Sequence, residues 1–176
     1  MNEVAVAAVG TDRPGIVAAL TGALLAVGGN IEDVRAALLR GSFATVLAVA
    51  VPDDVGPADV EAALAPVAEE LGLGLWVGPA AAAAAPGSPG SRCVLSVYGA
   101  DHPGIVHGIT RALADRAVNV LDLSARVVGD PPIYVLGIEV ELPPGTDAAG
   151  LAAAMRGVAE THGVELSLEP EEDEIL

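Results

Sequence analysis

Apolar and polar residues alternate in short runs, then recur at spacings of three and four, and this succession appears twice along the chain. Alternation over about 2–9 and 92–98 predicts strands. From Pro14 onward, Ile16, Leu20, Leu24 and Val27 keep helical spacing, and Pro103 opens the equivalent segment. Strands begin at Asn30 and Asn119, and hairpins return along about 42–51 and 133–142. Val60, Leu64, Val67 and Leu71 mark a second helix over about 57–72, matched at about 147–162. Gly72 and Gly163 stand where a left-handed glycine closes a helix, and a last strand ends at Val77 or Leu168. The order β-α-β-β-α-β predicts an α+β chain of two ferredoxin-like domains, each an antiparallel sheet with two helices on one face.

The halves are copies. Gly10-Thr11-Asp12-Arg13-Pro14-Gly15-Ile16-Val17 recurs as Gly99-Ala100-Asp101-His102-Pro103-Gly104-Ile105-Val106, an offset of 89, held through Asn30/Asn119 and Asp33/Asp122. Asp130-Pro131-Pro132 replaces a tighter turn at Gly41, and from Phe43/Tyr134 to Gly72/Gly163 the offset is 91. The resulting division is 1–78 and 92–169 for the domains, 79–91 for a Pro/Ala/Gly linker and 170–176 for an acidic tail.

The hairpin strands differ between the copies. Glu139 and Glu141 share one face of the second, opposite Tyr134, Leu136, Ile138, Val140 and Leu142. Their equivalents are Ala48 and Ala50, flanked on the same face by Ala44 and Val46. An outer face this apolar predicts cover by another domain or subunit.

Composition narrows the function classes. Hydrophobic residues are 52% of the 176, but aromatics are only 2%, so the core must be thin and its elements close together. Twenty-four acidic residues face eight basic ones, all arginine, for a formal charge of −16. Such a body is repelled by nucleic acid and by anionic membranes, so no direct contact with either is expected. One cysteine, Cys93, excludes an internal disulfide and lies in an apolar run, as a buried core thiol would. Histidines 102, 107 and 162 show no metal-ligand spacing, and no cofactor motif is visible. The apolar stretch at 14–31 is broken by Gly28, Gly29 and Asn30, so no membrane span is read, nor a signal peptide, and the cytoplasm is the expected location.

The repeated turn carries the candidate chemistry. Proline suits the first turn of a helix, and the preceding aspartate is placed to cap its free amides. A glycine there leaves backbone N–H groups bare for an anion such as a carboxylate. Amides of Gly15 and Ile16 would take the carboxylate of a zwitterion, and Asp12 with the Asn30 side chain its ammonium. The plainer alternative is that aspartate, proline and glycine only build the helix start and Asn30 only closes a turn.

On these motifs, with Gly-Gly-Asn-Ile-Glu-Asp and Val-Asn-Val-Leu-Asp after the first helices, the chain resembles a tandem pair of ACT domains. A double ACT chain without a catalytic domain is similar to the glycine cleavage system transcriptional repressor group. The resemblance implies amino-acid binding between paired domains, hence a homodimer, through Asp12, Arg13, Gly15, Ile16 and Asn30, and Asp101, His102, Gly104, Ile105 and Asn119. It also implies action through a protein partner such as a transcription activator. No catalytic residues are expected, since no acid–base set, metal cluster or phosphate loop is visible. Two other readings stay open: a regulatory subunit or relic of an amino-acid or folate-linked enzyme, and an assembly module with degenerate sites.

Overall fold

The computed structural model describes residues 1–80 and 90–171, in two compact units. The first runs β1 (Asn2–Thr11), α1 (Ile16–Ala26), β2 (Asn30–Leu39), β3 (Ser42–Val51), α2 (Pro57–Leu71) and β4 (Gly74–Pro79). The second repeats it as β5 (Arg92–Gly99), α3 (Ile105–Ala114), β6 (Asn119–Val128), β7 (Ile133–Glu141), α4 (Ala148–His162) and β8 (Val164–Pro170). The sheets are antiparallel, in the orders β2-β3-β1-β4 and β6-β7-β5-β8. This is the two-domain ferredoxin-like α+β fold. Most of the alanine run, at 81–85, and the tail at 172–176 lie outside the described residues.

Alternation along β1 and β3 turns Val4, Val6, Ala8, Phe43, Leu47, Val49 and Val51 to one face. There they meet Ile16, Leu20 and Leu24 of α1 and Val60, Leu64 and Ala68 of α2. The second core is built alike from Leu95, Val97, Leu136, Ile138 and Val140 under Ile105, Ile109, Leu113, Leu151 and Met155. Cys93 is a buried member of it, and burial pushes its thiol above the usual range. The opposite face of the first sheet exposes Ala44, Val46 and Trp76, whereas Ala50 at its far end is buried.

The helix layer does not reach the outer strands. Val34, Ala36 and Leu38 of β2 pair with core residues Leu47, Thr45 and Phe43, so they share the core side of the sheet. Yet Val34 and Leu38 are 48% and 64% exposed. Every residue of β6 is exposed, and all of β2 except Ile31. Each unit thus carries a ten-residue edge strand, open on its backbone edge and both faces. Among the described residues no helix is long and apolar enough to cross a membrane.

Two boundaries differ from expectation. The first helices start at Ile16 and Ile105, not at the prolines, which lie in the turn before them. The last strands run on to Pro79 and Pro170, and one further bond follows each, from the Ala80 amide to the Glu3 carbonyl and from the Glu171 amide to the Arg92 carbonyl.

α1 ends in a Schellman motif: the Gly29 amide donates to the Leu24 carbonyl and the Gly28 amide to the Leu25 carbonyl, with Gly28 left-handed at φ 75°. In the second unit the Val118 amide donates to the Leu113 carbonyl, but the left-handed position falls to Ala117, at φ 54°. An L side chain there costs on the order of 1 kcal/mol. Ala117→Gly is therefore expected to stabilise the second unit by up to about 0.5 kcal/mol, after the larger unfolded-state entropy of glycine is discounted. Urea unfolding read on Tyr98 and Tyr134 checks it, with Trp76, the single tryptophan, as a control in the first unit.

Candidate functional site

The turn between the first strand and first helix is shaped by its glycine. Gly15 and Gly104 are the N-cap residues of α1 and α3, at φ 97° and 103°. Neither helix has a side-chain cap, so Asp12 and Asp101 do not cap as expected; both are exposed. The physical reason is the later helix start, which leaves three residues between each aspartate and its helix. The first helical bonds run from the Ala19 amide to the Gly15 carbonyl and from the Gly108 amide to the Gly104 carbonyl. Before them, the turns over Pro14–Gly15 and Pro103–Gly104 bring the Ile16 and Ile105 amides back toward the Arg13 and His102 carbonyls, whereas the amides of Val17 and Ala18, and of Val106 and His107, have no protein acceptor among the described residues. The side chains of Ile16 and Ile105 are core anchors, so these two can offer a ligand only backbone. Two free N–H groups at the positive end of a helix dipole suit a carboxylate.

Residue 13 or 102 ties the turn to the end of the second helix. Arg13 donates from a terminal guanidinium nitrogen to the Glu70 carbonyl, at 3.4 Å. In the second unit His102 takes that place: Nε2 lies 2.7 Å from the His162 carbonyl oxygen and Nδ1 3.1 Å from the Pro103 carbonyl oxygen. The His162 ring stacks on it, with centroids 5.6 Å apart and planes 14° from parallel. The bond to His162, then that to Pro103, raise the His102 pKa above its ordinary 6.5; desolvation opposes them and the Asp101 charge adds to them. The Asp12 amide is also held, donating to the Gly41 carbonyl at the hairpin tip.

Asn30 is elsewhere. Thr11 pairs with Ser42 at one end of β3, whereas Asn30 pairs with Ala50 near the other. Eight residues of strand separate these ends, about 26 Å. Helix α1, eleven residues or about 16 Å long, covers most of that gap, and the turns at its two ends cover the rest. Asn119, opposite Glu141, is equally far from Gly104. The structure therefore groups Asp12, Arg13, Gly15 and Ile16 at one end of the first unit, and Asp101, His102, Gly104 and Ile105 at one end of the second. It brings neither asparagine to its own turn, which corrects the expectation of one zwitterion bridging both within a copy. Asn30 instead lines an open cleft of about 440 Å³ with Ala18, Thr21, Gly22 and Leu25 along α1.

The motif reading missed the glycine that opens each repeat. A Cβ on Gly10 would stand 2.6 Å from Leu73 Cδ2 and 3.0 Å from the Gly72 carbonyl oxygen; on Gly99, 2.8 Å from Val164 Cγ1. Its recurrence at the same offset was the available signal. Among the described residues no three His, Cys, Asp or Glu side chains gather as a metal site would require.

The ACT domain model matches residues 3–77 and again 91–169. A UPF0237 protein of Methanopyrus kandleri is 37% identical over 78 residues, covering 44% of this chain and 87% of the relative. One of Methanocaldococcus jannaschii is 30% identical over 82 residues, covering 47% and 90%. Among solved structures, a protein of unknown function from Galdieria sulphuraria superposes with a TM-score of 0.83 at 26% identity, over 97% of this chain and 99% of that one. A protein provisionally named a glycine cleavage system transcriptional repressor does so with a TM-score of 0.76 at 21% identity, over 98% of each chain.

A Cβ on Gly15 would meet nothing within 4 Å, so Gly15→Ala tests the backbone requirement free of steric clash. It is expected to destabilise the first unit by about 1–2 kcal/mol, read as a lower urea midpoint of Trp76 fluorescence.

Proposed function

The chain belongs to the ACT domain family, with two such domains in tandem, and from that premise we propose a non-catalytic cytoplasmic regulator that binds a small amino acid and acts through protein–protein contact. The observation that carries this reading is the doubled helix start, where a left-handed glycine leaves two amides without a protein acceptor in both units. The carboxylate of the ligand docks there, beside Asp12 and Arg13 or Asp101 and His102. Control of glycine metabolism through a transcription activator is the setting suggested by the provisional name of one full-length structural neighbour. With a formal charge of −16, a protein partner suits the surface better than DNA does.

The remoteness of Asn30 from its own turn supports a site shared between two chains. Antiparallel pairing of two β2 edges would set Asn30 of one chain beside Leu39 of the other. Leu39 pairs with Ser42, and Ser42 with Thr11, so that is the turn end of the sheet. The exposed edge strands, apolar at Val34, Leu38 and Leu39, supply the surface for such a homodimer. A ligand that bridges the chains then favours one pairing over another, which is how binding would reach a partner.

Calorimetric titration of the full chain with the common amino acids, glycine and serine included, tests the proposal. A ligand at ten times its Kd adds about 1.4 kcal/mol, a rise in Tm of a few degrees. Asn30→Ala with Asn119→Ala is expected to weaken that response at least tenfold while the chain stays folded. Absence of both heat and thermal shift at millimolar amino acid would favour the competing reading, an assembly module with degenerate sites.

A further inference from the structure

The two units hold equivalent turns by different chemistry. Arg13 stays charged at any pH a protein meets, so its bond to the Glu70 carbonyl does not depend on pH. His102 reaches two carbonyl oxygens at once, those of His162 and Pro103. A carbonyl only accepts. A neutral imidazole has one N–H, so it satisfies one contact and sets a ring lone pair against the other oxygen; the imidazolium donates to both. We propose that His102 is a protonation-controlled latch, fastening the 101–104 turn to the C-terminal end of α4 when charged and releasing it when neutral.

The surroundings are built for the charged form. The acceptor on α4 is among its last carbonyls, at the negative end of the helix dipole. The groups recorded against the ring are Asp101 from its own turn and the stacked His162 ring from α4; Tyr134 on β7, raised first by its own burial, feels the same Asp101 charge. The His162 ring lies where Gly108 has no side chain; a Cβ there would stand about 2.1 Å from Nε2. The equivalents of this pair in the first unit are Ala19 and Leu71, so the histidine stack belongs to the second unit alone.

The sign follows from linkage. The bonded, folded state holds the proton more tightly than the unfolded chain, so the latch contributes fully below 6.5, the ordinary value. Its contribution disappears as pH rises through the higher folded-state value. The second turn is thus tied by a pH-dependent bond while the first is not.

NMR titration of the full chain between pH 5 and 9 tests this without any ligand. The His102 imidazole is expected to titrate above 6.5, and the Gly104 and Gly163 amide resonances to shift with the same midpoint. Gly15 and Gly72, their counterparts in the first unit, stay flat. His102→Arg should hold Gly104 and Gly163 near their acidic positions at every pH, and His102→Gln should hold them near their alkaline ones. His162→Leu keeps the acceptor carbonyl, so the shifts persist in that variant. The latch is overturned if His102 titrates at or below 6.5. It is equally overturned if the shifts survive in His102→Arg, or vanish in a folded His162→Leu protein.

Discussion

Close approach without a side chain is the constraint on which each unit depends. The end of the first strand lies so near the chain leaving the second helix that a Cβ on Gly10 or Gly99 would collide with it. That contact fixes where the second helix stops relative to the strand. It therefore places the last carbonyls of that helix, Glu70 or His162, within reach of the residue three positions on, Arg13 or His102. The turn is then held from behind. Its left-handed glycine can aim the helix amides outward without help from a capping side chain.

Much of this was legible before any coordinates. Period-two and helical spacing identified every strand and helix, because a thin core of Val, Leu and Ile leaves little ambiguity about which positions face inward. Helix starts were read two residues early, since proline at a first turn and proline just before a glycine N-cap look alike in sequence. The residues of each turn lie together as sequence neighbours must, but Asn30 and Asn119 did not join them. Residues that recur together need not be neighbours; here a whole helix lies between. The tie from residue 13 or 102 was invisible because its acceptor is backbone, and any residue supplies a carbonyl.

Duplication preserved backbone and relaxed side chains. Both units keep the left-handed glycine at the helix start and at the end of the second helix, where no other residue is at ease. At the end of the first helix the second unit tolerates Ala117 instead of glycine, a cost one domain can absorb when its core is intact. The open faces diverged further. One carries Ala44, Val46 and Trp76, and the other Glu139, Glu141 and Glu165. Part of the chain's acidity thus lies on a surface that does not build the fold.

That divergence bears on how a doubled domain can regulate. Two identical sites would respond to a ligand together, and the chain would gain only strength of binding. With one turn held by guanidinium and the other by imidazole, the sites keep the same backbone donors but differ in how firmly those donors are held. A looser turn must be ordered when a ligand binds, and that ordering subtracts from affinity. The second site would therefore weaken relative to the first as pH rises, although no residue touching the ligand had changed its charge except His102 itself. If both turns take the proposed ligand, asymmetry of this kind would let one chain report two conditions, amino-acid supply and pH, through a single pair of folds.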